Sequence, residues 1–103
     1  MSVKISVEYE NITAFLSGEI DHCSASLLRR EIDLAVRENN PKKLILDFSD
    51  VNFMYSSGIG LVMGRYKLMN ELGGQVYIVN PQTHIKKVMR LSGIEKLASI
   101  TNN

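Results

Sequence analysis

Cysteine is almost absent from this chain. Cys23 is the single one in 103 residues, so no internal disulfide can form, which agrees with a reducing compartment. It reads as a small residue near a helix start rather than a reactive thiol. Charge of one sign is equally scarce. Twelve basic and eleven acidic residues are scattered to a formal +1, leaving neither a basic stripe for nucleic acid nor an acidic tail for a histone-like partner. No apolar run approaches the roughly 20 residues that span a bilayer, and the start MSVKISVEYE lacks a basic segment leading into an apolar one. The expected location is the cytoplasm, with no membrane contact. His22, His84 and the lone cysteine show no metal-ligand spacing, so neither metal nor cofactor is expected.

Apolar residues, by contrast, make up 45% of the chain, enough for one compact core in a length too short for two ordinary domains. Residues 1–103 therefore read as one soluble domain. Val3, Ile5, Val7 and Tyr9 alternate with polar residues, and after Glu10-Asn11 the alternation resumes with Ile12, Ala14 and Leu16, a strand pair closed by a tight turn and ended by Gly18. From Ser24, Leu28, Ile32, Ala35 and Val36 recur at helical spacing until Asn39-Asn40-Pro41, where proline cannot continue the helix. KLILDF is a nearly unbroken apolar run, expected as a central strand covered on both faces of a mixed sheet.

After a polar loop through Ser49 to Tyr55, a second helix carries the stripe Ile59, Val62, Met63, Tyr66 and Met69 and closes at Leu72-Gly73-Gly74 with a left-handed glycine cap. QVYIV reads as another strand. Asn80-Pro81 supplies a cap and first-turn proline for a helix with Ile85, Val88 and Met89, which Gly93 ends. IEKLASI adds a last turn or edge strand before Thr101-Asn102-Asn103, expected to fray. The order is β-β-α-β-α-β-α, an α/β fold with a mixed central sheet and helices packed on it.

The stretch NFMYSSGIGLVMGRYK, residues 52–67, sets two serines and two glycines where loop becomes helix. With the cap at Ser56, unpaired backbone N–H groups and the positive end of the helix dipole meet there. Ser56 could simply cap the helix. A hydrolase nucleophile would want a strained G-x-S-x-G elbow and a nearby base, but Met54 stands two residues before Ser56 and only the two histidines could serve. A phosphate cradle would want the P-loop lysine or the full G-x-G-x-x-G pattern, and both are missing. The remaining role is that of substrate: a hydroxyl at a helix N-terminus can accept a phosphoryl group whose charge of about −1.5 to −2 the dipole stabilises. No catalytic residue is expected, and physics alone does not separate acceptor from cap.

FMYSSGIGLVMGRYK, together with GEIDH at residues 18–22 and the element order, resembles the anti-sigma factor antagonists over essentially the whole chain. Their fold is the STAS domain, shared with sulfate-transporter tails. Members carry a loop of the form F-M-D-S-S-G-[LI]-G opening the second helix, and GRYK is most similar to the sporulation branch. The resemblance implies a regulatory substrate rather than an enzyme. Its partner would be a serine-kinase anti-sigma factor, with ADP or ATP bound to the kinase. The unphosphorylated form binds that kinase and frees its sigma factor, phosphorylation of Ser56 ends the binding, and a serine phosphatase restores it. Asp21, Tyr55, Ser57 and Gly58 are implied at the partner interface, and the free protein is expected to be a monomer with no direct nucleic-acid contact.

Asp21 either meets a basic group of the kinase or merely begins the first helix. Tyr55 departs from the pattern, standing where the family usually has aspartate, and is either an exposed aromatic anchor or a neutral replacement. Two alternatives stay open: a STAS module that binds a nucleotide or another ligand, and an antagonist of the stress-response branch.

Overall fold

The alternation at the start of the chain forms a hairpin in the computed structural model, which describes residues 2–102. Strand β1 (Ser2–Glu8) runs antiparallel to β2 (Asn11–Ile20) through a turn at Tyr9 and Glu10. Helix α1 (His22–Asn39) leads to β3 (Lys43–Met54), α2 (Ser56–Glu71) to β4 (Gln75–Val79), and α3 (Thr83–Ser92) to β5 (Ser99–Thr101) by way of a 3-10 turn, Ile94–Lys96. The spatial order of the strands equals their chain order, and every pair after the hairpin is parallel. Successive right-handed crossovers that always step the same way put their helices on one face of the sheet. The core lies on that face: Ile12, Ala14, Leu16, Leu44, Leu46, Phe48, Val76 and Ile78 meet Leu28, Ile32 and Val36 of α1, Leu61, Val62 and Met69 of α2, and Ile85 and Met89 of α3.

KLILDF is therefore covered on one face only, with Ile45 and Asp47 half-buried and Lys43 exposed, because no crossover reverses direction to bring a helix to the other side. Ser49 to Met54 is strand rather than loop. Val51, Phe53 and Met54 pair with Gly18, Glu19 and Ile20, and burial of Val51 and Met54 holds the extension in place. Gly18 likewise does not end β2. At φ +85° it sits where the register against β3 slips, a bulge that glycine makes without steric cost.

The helix boundaries differ in three places. Helix α1 begins at His22, with Asp21 as N-cap. Helix α2 begins at Ser56, so the cap is Tyr55 and Ser56 is the first helical residue. Helix α3 is capped by Gln82, while Pro81 is buried in the preceding loop. Met63 and Val88, expected in the core, are 41% and 44% exposed. Arg65 takes a buried place on α2 instead. The ends of α1 and α2 fall as the sequence indicates, at left-handed Asn40 before Pro41 and at Gly73, φ +78°. Thr101 is paired in β5 rather than frayed, its carbonyl accepting from Asn80 N–H at 2.8 Å, and Asn103 lies outside the described residues.

Candidate functional site

Parallel pairing of β2 and β3 brings their carboxyl ends together, with Ile20 opposite Met54. The residues that follow each strand therefore emerge side by side, at the end of a parallel sheet where such folds bind their ligands. Tyr55 N–H donates to the Ile20 carbonyl at 2.9 Å and fixes the start of α2 against the start of α1. The result is an open cleft of about 530 Å³ lined by Glu19, Asp21, His22, Tyr55, Ser56 and Ser57. A second groove, about 470 Å³, runs on between α1 and α2 past Ser26, Arg29, Gly60 and Gly64 to Arg65.

The two serines differ in access. Ser56 is exposed, whereas Ser57 is half-buried and its Oγ is sealed from solvent without a hydrogen-bond partner among the described residues. Tyr55 caps α2 with backbone alone, so the first-turn N–H groups receive no side-chain oxygen from it. An anion on Ser56 would sit at those groups and at the positive end of the α2 dipole. Asp21 is both an N-cap and a wall of the cleft. Its Oδ1 accepts from Ser24 N–H at 2.9 Å while Ser24 Oγ accepts from Asp21 N–H at 2.8 Å, a reciprocal capping box. The Ser24 backbone bond, with its hydroxyl second, holds the Asp21 carboxyl below its ordinary value, so it remains charged on the wall of the cleft that Ser56 also lines.

Of the residues expected at the interface, Asp21, Tyr55 and Ser57 line the cleft with Ser56. Gly58 does not. It is buried under Met54, and a Cβ there would lie 2.7 Å from the Met54 sulfur, so glycine serves the close packing of α2 on β3. Three residues escaped the sequence reading. Phe53 is 44% exposed and packs edge-to-face on Tyr55, itself 53% exposed, with ring centroids 5.0 Å apart. Glu19 joins the cleft through the β2–β3 pairing, and its only local signal is its place in GEIDH. Arg65 lies buried with Nε 2.8 Å from Asp33 Oδ1 of α1, tying the two helices that flank the groove. Burial pulls its guanidinium below the usual value, Asp33 opposes that shift, and Arg29 and Arg37 add to it. His84 is not among the residues that line the cleft, and its Nε2–H donates to the Asn52 carbonyl at 2.8 Å.

A family model described as the STAS domain matches residues 4–103. The chain belongs to the STAS family. Within it, this STAS domain is 34% identical over 107 aligned residues to the anti-sigma F factor antagonist of Paenibacillus polymyxa, spanning all of this chain and 90% of the relative. It thus falls among the anti-sigma factor antagonists. The solved anti-sigma factor antagonist SpoIIAA in its unphosphorylated form superposes with a TM-score of 0.84 at 29% identity, covering 96% of this chain and 87% of that one. The Bacillus cell fate determinant SpoIIAA in the phosphorylated form gives 0.76 at 29%, covering 96% and 90%. One architecture therefore accommodates both states in that relative. Among the described residues of this STAS domain, no helix is long and apolar enough to cross a membrane.

Proposed function

We propose that this STAS domain is a sporulation-type anti-sigma factor antagonist switched by phosphorylation of Ser56. In the unphosphorylated state it docks on a serine-kinase anti-sigma factor and frees the bound sigma factor. The kinase then transfers the γ-phosphoryl group of ATP to Ser56 Oγ, the complex parts, and a serine phosphatase resets the switch in the cytoplasm. The domain is substrate and regulator and needs no catalytic residue of its own. The observation that carries this reading is the contrast within the serine pair: Ser56 is exposed on the cleft, while the Ser57 oxygen is buried. Kinship to an anti-sigma F factor antagonist supports the choice of partner.

Release follows from electrostatics. The start of α2 favours an anion, so the helix persists, but an interface shaped around a neutral hydroxyl must desolvate or repel a group of charge about −1.5 to −2. An uncompensated buried charge costs at least a few kcal/mol, hence about a hundredfold or more in affinity. Asp21 offers its carboxylate, and Tyr55 with Phe53 an aromatic anchor, to the docked kinase. The test is incubation with candidate kinase and ATP, fragment mass spectrometry, and calorimetric titration of both forms. The reading expects one phosphoryl group on Ser56, none on Ser56→Ala, and tighter binding of the unmodified form. Phosphate on Ser57, or equal affinities for the two forms, would remove it.

A further inference from the structure

Helix α1 turns a second apolar stripe to solvent. Its inner face buries Leu28, Ile32 and Val36, yet on the opposite side Leu27 is 47% and Leu34 55% exposed. One exposed leucine is ordinary on a protein surface. These two are a heptad apart and so lie on one line along the helix. Arg30 and Glu31, both exposed, stand between them, and Cys23 and Glu38 continue the line at its ends. Adjacent in sequence, Arg30 and Glu31 do not face each other. Among the described residues neither belongs to an ion pair.

The stripe is complementary to itself in one orientation. Two copies of α1 laid antiparallel about a two-fold axis between residues 30 and 31 set Leu27 of each against Leu34 of the other. The same axis sets Arg30 against Glu31 and Cys23 against Glu38, and every contact occurs twice, as an isologous interface requires. A parallel arrangement would oppose Arg30 to Arg30 and Glu31 to Glu31. We infer that the outer face of α1 is a homodimer seam, closed by the Leu27–Leu34 contacts and specified by the Arg30–Glu31 pairs. One helix–helix seam buries less than the roughly 1,200–2,000 Å² of a stable interface. The dimer is therefore weak and concentration-dependent, and the monomer prevails in dilute solution.

Sedimentation equilibrium of the full chain over a wide concentration range tests this, with circular dichroism to verify folding. Wild type is expected to dimerise reversibly. Leu34→Ser and Arg30→Glu, both at exposed positions, weaken the dimer at least about tenfold, the second by placing like charges in contact. The swap Arg30→Glu with Glu31→Arg restores it, since the pairs re-form with their signs exchanged. A wild type that stays monomeric throughout, or a swap that fails to rescue, overturns the inference. So does a result in which the variants lose kinase binding but keep self-association, which would assign the stripe to a heterologous partner.

Discussion

Tyr55 stands where β3 passes into α2, with its ring on Phe53 and no side-chain bond to the helix it caps. An aspartate at this position would be a favoured N-cap, worth about 1 kcal/mol. The ring pair that Tyr55→Asp gives up is worth about 0.5–1.5 kcal/mol, so the two terms nearly cancel and the melting temperature should hardly move. Phosphorylation should respond instead. A hydrogen bond to a charged group is worth about 1.5–3 kcal/mol, so single-turnover rates should change by up to about a hundredfold. Equal rates would make Tyr55 a neutral replacement. Asp21 supplies a pH test at the same scale. Its folded pKa lies below the ordinary 3.8, so its capping contribution is complete above that value and is lost as pH falls through the lower, folded one. Melts of wild type and Asp21→Ala should differ at neutral pH and converge in acid, and a gap unchanged at about pH 2 would separate the cap from the carboxylate's charge.

Helices α1 and α2 are joined by one buried ion pair, Arg65 to Asp33. Arg65 is 5% exposed, while the Asp33 side chain keeps 24% of its surface in water. Removing one member of such a pair leaves a stranded charge, and Asp33's residual hydration places the cost of Arg65→Ala near the low end, about 3 kcal/mol. Arg65→Met combined with Asp33→Leu should recover most of that loss in denaturant unfolding, because an apolar pair of similar volume needs no desolvation. A double variant as unstable as the single one would mean that the pair does more than offset its own burial. The groove beside Arg65 persists because Gly60 and Gly64 put no side chain into it.

The whole molecule stands on one core, since every helix lies on the same face of the sheet. Phe48 is fully buried there, on the central strand between β2 and β4. Phe48→Ala should cost about 3–5 kcal/mol from a total stability that for a domain of this kind is about 5–15 kcal/mol. A single cooperative transition at a markedly lower denaturant midpoint is the expected result. Two separated transitions would show that the hairpin and the α/β part do not share one core. The opposite face of the sheet is only half-covered: Lys43 lies over the Tyr77 ring at 5.6 Å, and the Tyr77 hydroxyl donates to Gln75 Oε1 at 2.6 Å.

Local periodicity determined the element order, the ends of α1 and α2, and a helix opening at the serine pair. Each of these depends on residues only a few positions apart, whose spacing and cap chemistry act before any tertiary contact forms. Pairing with β2 turned Ser49 to Met54 from polar loop into strand and made Gly18 a bulge, neither of which β3 or β2 carries within itself. The common direction of the crossovers left one side of KLILDF open, and packing between helices put Arg65 inside and Met63 outside. The cleft is likewise a tertiary product. Asp21 and Ser56 follow different strands, and only the parallel alignment of those strands sets a charged carboxylate beside the exposed hydroxyl.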